Sequence, residues 1–350
     1  MKKQSDTIQV RSDETLDQDS LSFYLKGKLE GSDNSLEIRQ FPGGKANLTY
    51  LLNYGTHEYV LRRPPLGPIA PGAHDMKREY GVLSKLYKSF HYAPKAFMFE
   101  EDKNIIGAPF FVMERKEGVV IRSKMPIEFE SINYLGKKIS TALVNTLAEL
   151  HSVNYKDLGL EGLGKPEGFI ERQVFGWNKR WNAARVKPIP EMDNLFEWLK
   201  SNIPKSNQIS IIHNDYKLDN AMFALDKPDN IVAVFDWDMC TIGDPLSDLG
   251  TLLCYWVDED DPPLFKSISL LPKNITFLSR KELINIYIKK NDVDISSITF
   301  YHVLGLYRLA GIIAQIYIRY VKGQTKDNRF ETYGAAIPLI AQFALKIIDK

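Results

Sequence analysis

The chain has 350 residues, of which 44% are hydrophobic and 25% are charged. This length exceeds that of most single domains and predicts one large or two medium domains with a sizeable core. The formal net charge is +1, so the basic excess typical of a nucleic-acid-binding protein is missing. Cys240 and Cys254 are too few for a disulfide framework or a cysteine-based zinc site.

The first twenty residues are polar and charged, and they lack the apolar segment of a signal peptide. We expect residues 1–20 to form a mobile tail. No apolar run approaches the length of a membrane span. The sequence therefore predicts a soluble, cytoplasmic protein with no membrane contact.

A small β-rich lobe is predicted at residues 21–115. Three antiparallel strands read as LEIRQF, LTYLLNY and EYVLRR, and the turns between them read as PGGKAN and GTH. A helix is predicted at 73–88, since Met76, Tyr80, Leu83 and Tyr87 follow one stripe. The segment APFFVMERKEG then reads as a buried strand that ends in a charged connector.

Residues 116–350 are predicted to form a larger and mainly helical lobe. Apolar residues at helical spacing mark its segments. The predicted helices cover 132–150, 169–186, 193–203, 247–257, 281–290, 298–322 and 332–349. The overall fold class is therefore α+β, with a small antiparallel lobe followed by a large helical one.

The chemistry is concentrated in the stretch SIIHNDYKLDNAMF, residues 210–223. His213 and Asp215 stand where a predicted strand ends, and Asn220 follows five residues after Asp215. Residues 221–235 read as a hairpin around Pro228, and a symmetric pairing places Asn220 opposite Asp236, with Cβ atoms roughly 5 Å apart. Amide and carboxylate oxygens suit a hard cation such as Mg²⁺.

The pair of motifs HND....N and FDWD, with GDPLSDLG after them, resembles the aminoglycoside-phosphotransferase and choline-kinase-like family. The resemblance covers residues 36–345 and points to a branch whose domains are also found fused to acyl-CoA dehydrogenases. It implies a protein-kinase-like two-lobed fold. It also implies that Asp215 is the catalytic base, that Asn220 and Asp236 hold Mg²⁺, and that the ring of His213 supports the loop.

In the small lobe, the resemblance implies a nucleotide site. The turn carrying Gly43, Gly44 and Asn47 would cover the phosphates of ATP or alternatively GTP. Arg62 stands where kinases have a strand lysine, although Arg63 leaves the register open by one residue. Glu79 lies near the buried stripe of the following helix and would pair with this cation.

The segment FFVMERKEG resembles the hinge of the kinase-like fold. Backbone groups near Met113, Glu114 and Arg115 would then meet the adenine edge.

Four further residues are candidates for acceptor binding. Arg172, Trp177 and Arg180 combine cations and aromatics early in the helical lobe, although core packing explains the tryptophan equally well. Arginine favours carboxylate and phosphate, which argues against a polycationic aminoglycoside. Asp238 would share a face with Asp236 and support the loop or the metal.

The preferred interpretation is a kinase that moves the γ-phosphoryl group of ATP to a hydroxyl of a small molecule. A hydroxy acid or an acyl thioester is the candidate acceptor class. One alternative is an ATP-binding pseudokinase, which the arginine at position 62 favours. Another is a metal-dependent phosphoesterase built on His213, Asp215, Asp236 and Asp238. A protein kinase is disfavoured because no A-P-E segment follows Asp236.

Overall fold

A computed structural model describes residues 6–42, 47–67, 75–129, 131–205, 208–269, 271–325 and 327–349. The chain divides into two compact units. The first comprises Met1–Glu117 and Ala233–Asp238, and the second comprises Gly118–Val232 and Met239–Lys350. The sequence predicted a single boundary near residue 115. It did not predict that the short segment carrying Asp236 belongs to the first unit.

The first unit contains a five-stranded antiparallel sheet of order β1-β2-β3-β5-β4. Its strands are β1 (Glu37–Gln40), β2 (Leu48–Asn53), β3 (Glu58–Arg63), β4 (Ala96–Glu100) and β5 (Phe110–Glu114), and its helices are α1 (Gln18–Leu25) and α2 (Met76–Leu86). The predicted meander, helix and buried strand are present, whereas β4 and α1 were not predicted. The side chain of Asp75 caps α2 by accepting from the amide of Arg78.

Residues 6–20 are not a mobile tail. Ile8 exchanges both backbone hydrogen bonds with Gln40 at the edge of the sheet, at 2.8 and 2.9 Å. The Tyr50 hydroxyl donates to the carbonyl of Glu14 at 2.6 Å. Asp17 caps α1, which buries Leu21 and Leu25 completely. The polar composition of the segment was misleading because its backbone and polar side chains bond to the sheet.

The second unit is mainly helical, and among the described residues two small sheets, one of two strands and one of three, lie near the motif region. Its elements are β6 (Val119–Val120), α3 (Leu135–His151), α4 (Phe169–Ala184), α5 (Pro190–Ser201), β7 (Ser210–Ile212), β8 (Ala221–Phe223), β9 (Ile231–Val234), β10 (Thr241–Gly243), α6 (Leu246–Tyr255), α7 (Pro263–Ile268), α8 (Arg280–Lys290), α9 (Ile298–Val321) and α10 (Tyr333–Ile348). The last two residues of β9, from Ala233 on, belong to the first unit. All seven predicted helices are present, and α7 was not predicted.

Helices α6 and α9 approach closely through two glycines. A Cβ atom on Gly250 would lie 2.3 Å from the carbonyl oxygen of Tyr301, and one on Gly305 would lie 2.6 Å from that of Gly250. Only glycine permits this backbone approach. The crossing places Asp248 of α6 and Arg308 of α9 beside the loop that follows β7.

The hairpin between β8 and β9 differs from the symmetric register. The amide of Ala224 donates to the carbonyl of Asn230 at 2.9 Å, whereas the symmetric pairing places Ala224 opposite Val232. The predicted register is therefore wrong by two residues at the turn. The approach of Asn220 to Asp236 stays a prediction.

None of the helices in the described part of the chain is long and apolar enough to cross a membrane.

Candidate functional site

The loop after β7 is held by a buried carboxylate. The two oxygens of Asp248 accept hydrogen bonds from the amides of His213, at 2.6 Å, and Asn214, at 2.7 Å. Asn214 adopts a left-handed backbone conformation with φ of 66°, which is unfavourable for a residue other than glycine. Asp248 therefore stabilises a strained turn that sets the direction of Asp215.

Two further residues complete this anchor. Arg308 is buried and donates to the carbonyl of Asn214 at 2.8 Å. The Nε2 atom of His151 lies 3.2 Å from Asp248 and its Nδ1 atom lies 2.7 Å from the hydroxyl of Tyr287. The strained turn is thus bonded at its amides and at its carbonyl by side chains from α6 and α9.

Replacing Asp248 by asparagine is expected to destabilise the protein by about 2–3 kcal/mol, since the amide keeps one acceptor without its charge and turns an NH2 donor toward the other backbone amide. Burial opposes ionisation of Asp248, but the hydrogen bonds from His151 and His213 hold its pKa below the ordinary value. Urea unfolding measures the effect, with exposed Asp157→Asn as the matched control. An unchanged urea midpoint in Asp248→Asn contradicts the anchoring role.

Asp215 is surrounded by donors from its own loop. Its Oδ1 and Oδ2 atoms lie 2.9 and 2.7 Å from Nζ of Lys217, and Nδ2 of Asn220 donates to Oδ2 at 3.0 Å. Both Asp215 and Lys217 keep about a fifth of their side-chain surface exposed. Burial alone would lower the pKa of Lys217, but the Asp215 carboxylate raises it above the ordinary value. Lys217 therefore remains charged beside Asp215.

Lys217, Asp248 and Arg308 are functional candidates that the sequence reasoning missed. Lys217 stands two residues after Asp215, and this short spacing could have indicated that the two side chains interact. Asp248 lies in the motif GDPLSDLG, to which no separate role was assigned, and Arg308 lies far along the chain in a helix that reads as core.

The orientation of Asn220 fits a metal-binding role. Its Nδ2 atom donates to the backbone carbonyl of Asp215 at 2.8 Å, in addition to the carboxylate. The amide oxygen, which is the atom that could bind a cation, takes part in neither bond. Within the described ranges, no cluster of three or more His, Cys, Asp or Glu side chains suits a metal. A site using one amide, one carboxylate and phosphate oxygens is compatible with that finding.

His213 is buried, and its Nδ1 atom accepts a hydrogen bond from the amide of Asp215 at 3.2 Å. This contact lies within the loop, as expected for a supporting ring.

The first unit contains a buried charge cluster around Arg62. Its Nη1 atom lies 3.1 Å from Oε1 of Glu79, and its Nη2 atom contacts Oδ1 of Asp236. The amide of Trp237 donates to Glu79 at 3.4 Å. Asp236 has a φ of 69°, so the segment that carries it is strained. Arg62 therefore meets both the predicted helix partner and the predicted metal ligand.

Burial raises the pKa of Glu79 from an ordinary value of 4.5 to about 7, with the neighbouring Asp236 and Asp238 carboxylates adding to the shift and Arg62 opposing it. Asp238 therefore acts on this cluster through its charge. Its role in acceptor binding stays a prediction.

The uncertainty between Arg62 and Arg63 is resolved by the sheet. Arg63 points to the other face, where it donates to the Tyr50 hydroxyl at 2.8 Å and to the carbonyl of Glu14 at 3.0 Å. It forms no part of the charge cluster.

The remaining candidates have local contacts. The guanidinium of Arg172 donates to the carbonyls of Lys165 and Glu167, so it holds the loop before α4. Arg180 stacks on the buried Trp177, with 4.7 Å between Cζ and the ring centroid. The roles of these residues toward an acceptor stay predictions.

The nucleotide candidates are placed as follows. Asn47 is buried, whereas Gly43 and Gly44 lie outside the described residues. Met113 and Glu114 end β5. The guanidinium of Arg115 lies over the ring of Phe41 at 5.0 Å, so its side chain is used within the first unit. Adenine contacts by this backbone stay a prediction.

Comparison with known proteins identifies the family. The profile of the phosphotransferase enzyme family, APH, matches residues 37–269. Acyl-CoA dehydrogenase family member 11 of Homo sapiens is 33% identical over 352 residues, covering 98% of this chain and 44% of the human protein. The chain thus spans a little under half the length of that relative. The predicted branch is confirmed.

Solved structures agree on the fold. A proposed aminoglycoside phosphotransferase from Ralstonia eutropha has a TM-score of 0.81 at 27% identity, covering 95% of this chain and 98% of that one. Choline kinase from Cryptosporidium parvum has a TM-score of 0.64 at 12% identity, covering 95% and 97%. Spectinomycin phosphotransferase, solved with ADP and spectinomycin, has a TM-score of 0.59 at 13% identity, covering 96% and 99%. The chain therefore belongs to the APH phosphotransferase enzyme family and has its kinase-like fold.

Proposed function

We propose that this chain is an ATP- and Mg²⁺-dependent kinase that transfers the γ-phosphoryl group to a hydroxyl of a small molecule, with Asp215 as the catalytic base. The observation that carries the proposal is the anchored loop. Asp215 is held between Lys217 and Asn220, and the turn before it is bonded to Asp248. Such a loop suits a reaction in which catalysis is mainly positioning and charge stabilisation.

In this mechanism Asp215 accepts the proton of the acceptor hydroxyl as the oxygen attacks the γ-phosphorus and the bond to the β-phosphate oxygen breaks. Lys217 orients the Asp215 carboxylate before the acceptor arrives. Its ammonium group is also a cation that can stabilise negative charge on the transferred group.

Arg62 is the residue proposed to contact the nucleotide phosphates. Glu79 fixes its guanidinium from the buried side. A guanidinium can bind phosphate oxygens bidentately, so arginine is chemically able to serve where kinases have lysine, although with a different geometry. This reasoning favours a functional enzyme over the pseudokinase alternative.

Asn220 and Asp236 are the residues proposed to hold Mg²⁺. The bound ion would neutralise phosphate charge and align the triphosphate for transfer. The protein contributes an amide oxygen on Asn220, oriented by its bonds to Asp215, and a carboxylate on Asp236 whose position Arg62 restrains.

The proteins compared above support a nucleotide and a hydroxyl-bearing acceptor. The spectinomycin enzyme binds ADP and spectinomycin, and another fold neighbour is a choline kinase. For this chain, we keep a hydroxy acid as the acceptor class. The phosphotransferases compared above do not support an acyl thioester as the acceptor. Cytoplasmic location and the preference for ATP over GTP stay predictions.

The proposal is tested by thermal unfolding with and without Mg·ATP. A ligand at 100 times its Kd stabilises the native state by about 2.7 kcal/mol, so wild type should show a Mg²⁺-dependent rise in Tm. Asp236→Ala should lose most of that rise, whereas Asp229→Ala, an exposed residue of the β8–β9 turn, should keep it. No rise in wild type at saturating Mg·ATP contradicts the proposed kinase and favours the phosphoesterase.

A further inference from the structure

Next to Lys217, the second unit contains a cavity of about 190 Å³. Lys217 lines this cavity, and its Nζ atom also contacts Asp215 and lies 5.3 Å from the ring centroid of Tyr255, another lining residue. A molecule in the cavity would therefore be separated from the proposed catalytic base by a single ammonium group. We infer that this cavity is the acceptor subsite, and that it takes an aliphatic alcohol carrying an acid group. This inference rests on the function proposed above.

The lining of the cavity is mainly apolar. Ile121 and Leu252 are completely buried, and Trp256 and Leu271 extend the same wall. Its volume is small compared with the roughly 300–1,000 Å³ of pockets for drug-sized ligands. At roughly 30 Å³ per heavy atom, as in liquid water, it holds about six heavy atoms. A short aliphatic segment fits this space, whereas an aminoglycoside does not.

The charges at the cavity favour an acid over an amine. Lys217 forms an ion pair with Asp215, and it also interacts electrostatically with Asp219, another lining residue. Arg122 lines the cavity and is exposed. Among the residues that the structure describes, no carboxylate lies within ion-pair distance of its guanidinium, although its charge acts on Asp219 of the same lining. Arg122 can therefore accept a carboxylate at the mouth while the hydroxyl lies toward Lys217 and Asp215.

Calorimetric titration with three six-carbon alcohols tests this assignment. The probes are 6-hydroxyhexanoate, 1,6-hexanediol and 6-amino-1-hexanol, which share one hydroxyl and six carbons and carry a carboxylate, a second hydroxyl or an ammonium group at the far end. Wild type should bind the acid at least tenfold more tightly than the diol, and the amine most weakly. Arg122→Gln should remove the preference for the acid and leave diol affinity unchanged. Equal affinity for acid and amine, or tighter binding of the amine, overturns the inference.

A second pair of variants tests the cavity itself. Leu271 is partly exposed, so Leu271→Trp can fill the cavity without disturbing the core. This variant should weaken binding of the acid and the diol at least tenfold. Val321→Trp makes a similar change at an exposed site on α9 and should bind like wild type. Unchanged affinity in Leu271→Trp overturns the subsite.

Because the titration needs no turnover, its result is independent of the proposed function. Binding that follows the predicted pattern without phosphorylation by Mg·ATP supports the subsite and contradicts the kinase. Phosphorylation of other alcohols with no binding in this cavity supports the kinase and contradicts the subsite.

Discussion

Asp215→Asn is expected to lower kcat for phosphoryl transfer by about 10²–10⁴-fold, the usual contribution of a positioned general base. The amide has nearly the same shape as the carboxylate, but it cannot accept the hydroxyl proton. It also places an uncharged group 2.7 Å from Nζ of Lys217, which removes the charge that this lysine faces. ADP release coupled to acceptor phosphorylation gives kcat and KM separately.

The control for this variant separates catalysis from folding and nucleotide binding. Asp226→Asn changes an exposed carboxylate in the β8–β9 turn and should keep wild-type kcat. The Mg·ATP-dependent rise in Tm should persist in Asp215→Asn, since nothing proposed to contact the nucleotide has changed. Wild-type kcat in Asp215→Asn removes this residue from its role as base. Loss of the Tm rise as well as activity would instead indicate a structural role.

The sequence predicted the parts of the site that lie close together along the chain. His213, Asp215 and Asn220 fall within eight residues, and in the structure their contacts are made inside the same loop. The pairing of Arg62 with Glu79 was also predictable. A carboxylate near the buried stripe of a helix needs a cation, and β3 immediately precedes that helix along the chain.

The residues that anchor the loop could not be predicted, because their partners are backbone groups far away in the chain. Asp248 and Arg308 are 34 and 94 residues from Asn214 in sequence. Their approach depends on the glycine-mediated crossing of α6 and α9. Asp248 and Gly250 lie in the motif GDPLSDLG, but the motif does not identify the residues of α9 that they meet. Residues 6–20 were misread for a related reason. These residues are ordered by hydrogen bonds to the sheet, and such bonds cannot be predicted from the amino-acid composition of the segment.

Arg62→Met is expected to destabilise the first unit by about 3–5 kcal/mol at pH 8, since it leaves the buried Glu79 without the cation that favours its ionised form. The loss should be smaller at pH 6, where Glu79, with a pKa already near 7, takes up a proton and the buried charge disappears. The double variant Arg62→Met/Glu79→Gln should recover much of the stability, because no buried charge remains at position 79. Urea unfolding at both pH values measures these differences.

Glu79→Gln alone provides the matched test of the pH dependence. The pKa of Glu79 is raised in the folded state, so between pH 4.5 and 7 the folded protein binds more protons at this site than the unfolded chain. Its contribution to the free energy of unfolding therefore falls as the pH rises through this window, and Glu79→Gln should lack that slope. An identical pH profile in Glu79→Gln and wild type would mean that Arg62 holds Glu79 ionised throughout. In that case, removal of Arg62 should itself raise the pKa of Glu79, so Arg62→Met should still cost less at pH 6 than at pH 8. The Glu79→Gln profile therefore determines the charge state in which Glu79 supports Arg62.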